Sequence, residues 1–318
     1  MCCRDGTTCH AQRQACPARR RACPASVHRN PGCRAMTVLS ARPGVILLLI
    51  VLLGGCSFPR LMWNFADRMA MSQVDDWLEL TGPARENARD RVDDWLENDL
   101  RAEFLPAYAD FLHRFADTAA INLERNAVED YFHEAETLYR RTLESALPHV
   151  AAILAELDVD GRQHLANRIR EANAEYEEEY LLASPAERAE ALGERFADQV
   201  ERWAGRLDTE QRATIKAEAE ALPDTAHEWY EFRRRMQNEL LRLLAEERSA
   251  ERIEEHLTCW WIERCGRPEA HEQRTRALRH GLIDMVAELD TWLTPQQQRD
   301  AVRKLRSRAD SLAEIARP

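Results

Sequence analysis

Leu293-Thr294-Pro295-Gln296-Gln297-Gln298 marks the point where one apolar helical pattern stops and the next one starts. A threonine before the first turn can accept a hydrogen bond from a first-turn N–H, and a glutamine three residues later can reach back to the cap. The same arrangement returns at Leu207-Asp208-Thr209-Glu210-Gln211, with aspartate in place of threonine. We therefore expect helix N-caps at Asp208 and Thr294, with Gln297 completing the second cap.

Similar helix-capping signals recur through the rest of the chain. Looser copies lie at 157–163 and at 80–85, where Thr81 precedes Gly82-Pro83 and is a third expected N-cap. Ser184-Pro185-Ala186-Glu187 has the capping-box pattern with a proline in the first turn. These signals divide the chain into helices of ordinary length.

The composition between the caps favours helices throughout. Ala, Leu, Glu and Arg dominate, six glycines follow residue 55, and no segment alternates Val, Ile and Thr as a strand would. We predict an all-α fold, a single multi-helix bundle of about ten helices after a cleaved signal peptide. Besides the helix that Thr81 opens, we predict helices at 58–78, 101–118, 124–146, 149–157, 160–182, 185–206, 209–221, 224–247, 249–264, 268–292 and 295–316. We expect Trp77, Trp95, Trp203 and Trp292 to be largely buried.

An apolar run near the start of the chain has the layout of a signal peptide. Arg42 precedes the run Val45–Leu53, which is too short to span a bilayer, and Gly54, Gly55 and Cys56 follow. The segment from Leu53 to Ser57 resembles a bacterial lipobox. The resemblance implies cleavage between Gly55 and Cys56, acylation of Cys56 and a membrane attachment through its lipid. By the same resemblance, Ser57 implies export to the outer membrane, with the protein facing the periplasm.

The segment upstream of this run does not look like part of a fold. Residues 1–35 are rich in Cys, Arg, Ala and Pro and have no hydrophobic period. We interpret 1–35 as a mis-assigned upstream extension, 36–55 as the signal peptide with translation starting at Met36, and 56–318 as the lipid-anchored helical domain. A metal-binding or disulfide-linked tail is the alternative for 1–35.

The chain from Cys56 onward is strongly acidic. Residues 1–55 hold eight arginines, no lysine and one acid, so the remaining 263 residues carry 36 basic and 54 acidic side chains, a formal charge of −18. This charge argues against nucleic acid as a partner.

The two cysteines after Cys56, Cys259 and Cys265, lie where a helix is expected to end, and an envelope location makes a disulfide between them an expectation. Two separate buried thiols are the alternative.

Two resemblances follow from these strings. The Leu-Thr-x-x-Gln string at 293–297 resembles the signature of Spy/CpxP-type periplasmic proteins, which implies a helical chaperone or stress-response role. Most of the mature chain, including the Glu175–Tyr180 segment and Ser184-Pro185-Ala186-Glu187-Arg188, is similar to an uncharacterised family of Gram-negative lipoproteins. This second likeness implies a helical lipoprotein and no activity.

The chemical motifs leave two functions open. Three His-Glu pairs, at His133, His227 and His271, lack the second histidine of a zinc protease, and no nucleophile elbow, phosphate loop or dinucleotide glycine pattern is present. We expect no catalytic residue, metal or cofactor. We favour a non-enzymatic, lipid-anchored envelope protein with an interaction or chaperone role and a protein partner or client. The alternative is an envelope hydrolase using distant paired carboxylates, which leave no local signature.

Overall fold

The computed structural model describes Trp63, residues 65–246 and residues 249–317. The described residues all belong to one compact unit, within Val38–Pro318. The predicted extension 1–35 and the signal peptide 36–55 lie outside the described residues, as do Gly55 and Cys56 of the predicted cleavage site.

The described chain consists of α-helices, three of which continue into π-helical segments. The α-helices are α1 Ala66–Leu78, α2 Gly82–Asp94, α3 Leu105–Ala119, α4 Arg125–Ala155, α5 Val159–Tyr176, α6 Pro185–Ala204, α7 Thr209–Glu220, α8 Ala226–Glu246, α9 Ala250–Leu257, α10 Glu269–Trp292 and α11 Pro295–Ala316. The π segments are π1 Trp95–Phe104, π2 Glu177–Leu181 and π3 Thr258–Glu263, which follow α2, α5 and α9. No strand occurs in these residues, and the all-α prediction is confirmed.

Helix α4 corrects one of the predicted boundaries. The sequence predicted two helices, 124–146 and 149–157, because a proline inside a helix removes a backbone hydrogen bond. The structure has one helix of 31 residues, Arg125–Ala155, that contains Pro148. Leu147 and Ala151, on either side of the proline, are almost fully buried. Their packing holds the helix together where local propensity would end it.

A second break was predicted near residue 100 and is also absent. Helix α2, π1 and α3 follow one another without a turn from Gly82 to Ala119. Pro106 stands in the first turn of α3, where it has no N–H to donate. The N–H of Leu105 bonds to the carbonyl of Leu100, five residues earlier. The backbone hydrogen bonds therefore already have π-helical spacing at the residue before the proline.

The core consists of four packed clusters. Cluster A contains Leu78, Leu147, Leu157, Leu244, Ile253 and Leu257; cluster B contains Phe104, Tyr108, Phe111, Leu112, Leu138 and Leu305; cluster C contains Ala197, Leu207, Ile215 and Leu293; cluster D contains Leu123, Val128 and Ile283. Helix α4 supplies residues to A, B and D. It is therefore the central element of the described fold.

The four tryptophans are mostly covered, as the sequence predicted, and each keeps part of its surface exposed. They are Trp77, Trp95, Trp203 and Trp292. Trp77, Trp203 and Trp292 pack on the edges of clusters A, B and C, and the indole N–H of Trp95 donates to Ser145 Oγ at 2.9 Å. An indole at a cluster edge covers apolar side chains and keeps its N–H near polar groups, which explains the partial exposure.

Among the described residues, no helix combines the length and the apolar character that crossing a bilayer requires.

Candidate functional site

The motif copies at 207–211 and 293–297 form complete N-caps. Thr294 Oγ1 accepts from Gln297 N at 3.3 Å, and Gln297 Oε1 accepts from Thr294 N at 2.8 Å. Asp208 Oδ1 accepts from Gln211 N at 2.8 Å, and Gln211 Oε1 accepts from Asp208 N at 3.0 Å. Both motifs therefore satisfy first-turn donors at the starts of α7 and α11.

Thr81 occupies the cap position before α2 without forming the expected bond. Its side chain makes no capping hydrogen bond, and its backbone is extended. Pro83 has no N–H to offer, and Gly82 has φ +55°, a left-handed conformation that changes the direction of the first turn. The helix starts where the sequence predicted, but glycine and proline geometry replaces the side-chain cap.

The two cap glutamines also bond to each other across 86 residues of sequence. Gln211 Nε2 donates to Gln297 Oε1 at 2.7 Å, and Gln297 Nε2 donates to Gln211 Oε1 at 3.0 Å. Each amide also donates to the carbonyl two residues before the other helix's cap: Gln211 to Trp292 O at 2.8 Å and Gln297 to Arg206 O at 2.9 Å. We call this paired arrangement the glutamine clasp.

The clasp explains why the motif recurs. It has the same contacts in both directions, so each copy of the motif binds the other. The leucines that open the copies, Leu207 and Leu293, are both buried in cluster C. The recurring string is thus a tertiary lock between the α6–α7 turn and the α10–α11 turn, and this accounts for its residues without invoking a ligand.

The cysteines at 259 and 265 are joined in a disulfide. Their Cα atoms are 5.2 Å apart, and the Cys265 N–H also donates to Cys259 O at 2.9 Å. Arg264 between them is left-handed at φ 58°, and Gly266 follows at φ +66°. The bridge therefore closes the turn that ends π3.

The Glu175–Tyr180 segment is only partly a solvated acidic face. Tyr176 is 4% exposed, and its ring stacks on Tyr230 of α8 with centroids 5.6 Å apart and planes 5° apart. The Tyr180 ring lies 4.7 Å from that of Tyr176. The hydroxyl of Tyr230 donates to Glu177. The tyrosines therefore fasten π2 to α8, while Glu175, Glu178 and Glu179 stay exposed.

Arginines cover this group of rings. The guanidinium carbon of Arg233 lies 5.6 Å from the Tyr176 ring centroid, and that of Arg234 lies 5.4 Å from the Tyr230 ring. Arg233 is buried, which lowers the pKa of its guanidinium, whereas Arg234 is exposed. The ring faces attract both cations and fix their positions.

The exposed side of α8 forms a basic surface that sequence reasoning missed. Arg234, Arg235, Asn238 and Arg242, together with Glu231, line one surface depression of about 330 Å³. We call the three arginines and Asn238 the arginine face of α8. Residues four apart on a helix share a face, and this spacing was the available signal in the sequence.

The charges of the arginine face are weakly compensated. Arg234 Nη1 lies 3.9 Å from Glu231 Oε1, and Arg235 Nη2 donates to the carbonyl of Gly266 at 2.6 Å. Arg242 makes no ion pair or hydrogen bond with the described residues. These guanidiniums keep N–H donors directed to solvent and can bind an anion.

A second depression, on α6 and α7, has the opposite character. It measures about 520 Å³ and is lined by Glu194, Arg212, Lys216 and residues of the Asp208 cap. Arg212 contacts Glu194 at 2.6 Å, Asp198 at 2.6 Å and Glu201 at 3.1 Å. Arg212 is already surrounded by carboxylates, and Lys216 also contacts Glu194. The charges that line this depression therefore neutralise one another.

One carboxyl group has an environment that disfavours ionisation. Burial raises the pKa of Asp93, and the neighbouring charge of Asp67 adds to the effect. Asp93 Oδ1 accepts no hydrogen bond within the described chain. Asp93 does not line either depression.

No group of three or more His, Cys, Asp or Glu side chains suited to a metal ion comes together in the described residues.

Comparison with known proteins gives a family and no activity. No curated protein and no solved structure matches the chain. The model of DUF6279, a family of unknown function, matches residues 76–260. This supports the predicted likeness to an uncharacterised family, while the lipoprotein character and the likeness to Spy/CpxP-type proteins stay predictions. Since the match covers more than half of the 318 residues, the chain belongs to this family of unknown function, DUF6279.

Proposed function

We propose that the protein is a non-enzymatic, lipid-anchored protein of the cell envelope that binds a partner through the arginine face of α8. The arginine face carries this proposal. It is a basic surface on a chain whose residues from Cys56 onward have a formal charge of −18. Aromatic rings hold Arg234 and Arg235 in place, which reduces the entropy that binding would cost.

The anchor belongs to the proposal because of the Leu53–Ser57 segment. Its small residues before Cys56, behind a short apolar run, are what lipid attachment requires. The disulfide between Cys259 and Cys265 agrees with an oxidising compartment such as the periplasm.

Fractionation tests the anchor and its location. We expect the wild type in the outer-membrane fraction with an acylated Cys56 as its first residue. Cys56→Ala should release the protein or stall its precursor. Membrane attachment that survives Cys56→Ala, or sedimentation wholly with the inner membrane, would contradict this half of the proposal.

Site-specific crosslinking tests the binding surface. A photoreactive side chain at Asn238, at the centre of the arginine face, should give discrete adducts in intact envelopes. Arg242→Glu should remove these adducts, and Arg140→Glu should not. Arg140 is a matched control because it is exposed on α4 and makes no ion pair or hydrogen bond with the described residues. Adducts that are absent, or insensitive to Arg242→Glu, would overturn the binding role.

An envelope hydrolase is the second candidate, and Asp93 is the observation that favours it. A carboxyl with a raised pKa suits a general acid, and carboxylates lie nearby. If this role is correct, the wild type should hydrolyse purified envelope glycan and Asp93→Asn should abolish the activity. A wild type without hydrolysis, or an active Asp93→Asn variant, would exclude it.

A further inference from the structure

We propose that the arginine face of α8 recognises phosphate groups. The inference rests on the proposed role of this face as the contact surface and names the chemistry of what it binds. The ligand is an anion with at least two phosphate groups, either the headgroups of an anionic lipid or a soluble polyphosphate.

The first step is the number and placement of free donors. An arginine side chain has five N–H groups in a planar fork. Arg235 uses one nitrogen to bond the Gly266 carbonyl, and Arg242 uses none within the described chain. The three arginine side chains line a single depression, so an anion bound in it would lie beside all three.

The second step is that two of the cations are held in position. Arg234 lies over the Tyr230 ring and Arg235 over the Phe232 ring, both at 5.4 Å. Phe232 is 2% exposed and Tyr230 is 4% exposed, so these rings are rigid supports. A guanidinium held over a ring loses less freedom on binding than a free one.

The third step separates phosphate from carboxylate. One carboxylate is satisfied by the fork of one arginine, whereas a phosphate has three strong acceptor oxygens and accepts from several guanidiniums. Arg234 and Arg235 are adjacent, and Arg242 is two turns further along α8, a rise of about 10 Å from Arg235. This arrangement matches two neighbouring phosphates.

The acidity of the rest of the chain does not oppose such binding. Charges in solvent are screened beyond a Debye length of about 8 Å at physiological salt. A phosphate in the depression would lie beside Arg234, Arg235, Arg242 and Glu231, which line it, and would be screened from distant carboxylates. Its affinity should fall steeply as salt is added.

Calorimetry on the full chain in a nonionic detergent tests the proposal, with tripolyphosphate as the probe. We expect binding to the wild type, about tenfold weaker binding to Arg242→Gln, and unchanged binding to the matched control Arg140→Gln. Arg242 makes no ion pair or hydrogen bond with the described residues, so its replacement should leave the melting temperature nearly unchanged. Equal binding by the wild type and Arg242→Gln, or no binding by either, would overturn the proposal.

Competition separates the two phosphate sources. Phosphatidylglycerol in the detergent micelles should displace tripolyphosphate if the ligand is a lipid headgroup, while phosphatidylcholine should not. Tripolyphosphate binding that persists in the presence of phosphatidylglycerol identifies a soluble polyphosphate, and either result supports the phosphate chemistry. An oligoglutamate peptide that binds as tightly as tripolyphosphate would overturn it in favour of an acidic protein.

If phosphate binding fails while crosslinks at Asn238 persist, only this inference falls. If the crosslinks fail, the proposed function falls instead.

Discussion

The side-chain amide of Gln297 has a local and a distant role at once. Its oxygen accepts from the cap N–H of Thr294, and its nitrogen donates to Arg206 O and to Gln211. Gln211 reproduces this pattern in the other direction. Each glutamine therefore donates to and accepts from the other in addition to its own cap and carbonyl bonds, and their contributions to stability should be coupled.

A double-mutant cycle measures this coupling. We expect Gln211→Ala and Gln297→Ala each to lower the free energy of unfolding by about 1–2 kcal/mol. The double variant should lose at least about 0.5 kcal/mol less than the sum, since either change alone already breaks the clasp. Gln296→Ala, an exposed neighbour that contacts Asp300, is the control and should change stability little. Additive losses in urea denaturation would show that the clasp contributes no pairwise energy.

Asp93 predicts a pH-dependent stability. Burial and nearby carboxylates raise its pKa in the folded state, so the folded chain holds this proton more tightly than the unfolded chain. The favourable contribution is complete below the unfolded pKa and is lost as the pH rises through the folded pKa. We expect Asp93→Asn to raise the melting temperature at pH 7 and to have little effect in acid.

The control for Asp93 is Asp110→Asn. Asp110 is exposed on α3 and makes no hydrogen bond or ion pair with the described residues, so its replacement should have a similar small effect at both pH values. A melting temperature of Asp93→Asn that is unchanged or lower at pH 7 would refute the assignment.

At the residue scale, the sequence predicts what depends on neighbours in the chain. The Asp208 and Thr294 caps follow from side chains that lie within three residues of the donors they bind. The clasp and the Tyr176–Tyr230 stack join residues 86 and 54 positions apart, and local spacing contains no information on such pairs. The arginine face was accessible from the i, i+4 spacing of Asn238 and Arg242, but its support by buried rings was not.

Helix α4 shows how an element can override its own local propensity. Pro148 is exposed inside the helix, and it costs a backbone hydrogen bond there. The apolar side chains of α4 are buried in three of the four clusters, and this burial outweighs the cost. The sequence-based break at this position was wrong because the proline rule considers the helix alone, without the surfaces on which it packs.

Replacing Pro148 tests this balance. Pro148→Ala should stabilise the protein by about 1–3 kcal/mol, because alanine restores the N–H and removes the clash with the preceding turn. Pro185→Ala is the matched control, since Pro185 is in the first turn of α6, where no N–H is needed. It should change stability by less than about 0.5 kcal/mol. Equal effects of the two substitutions in chemical denaturation would show that Pro148 is not strained in α4.

At the scale of the whole molecule, α4 connects regions that would otherwise be separate. Leu147 and Ala151 belong to cluster A, whereas Ala135 and Leu138 belong to cluster B. Cluster C joins α6, α7 and the end of α10, and the clasp holds its two turns together. The chain can therefore lose one cluster only by exposing part of α4 or by breaking the clasp.

This connection predicts a single cooperative unfolding unit in the described body, which hydrogen exchange can test. Amides around Ala135 and around Ala151 are on the same helix but pack in different clusters, so they report separately on B and A. We expect both groups to exchange through openings of equal free energy and with equal dependence on denaturant, because opening either cluster disrupts the other through α4. The clasp variant Gln211→Ala should lower both values together. Two distinct opening free energies, or a decrease confined to one group of amides, would contradict this. Either result would mean that α4 opens at Pro148 and that clusters A and B unfold independently.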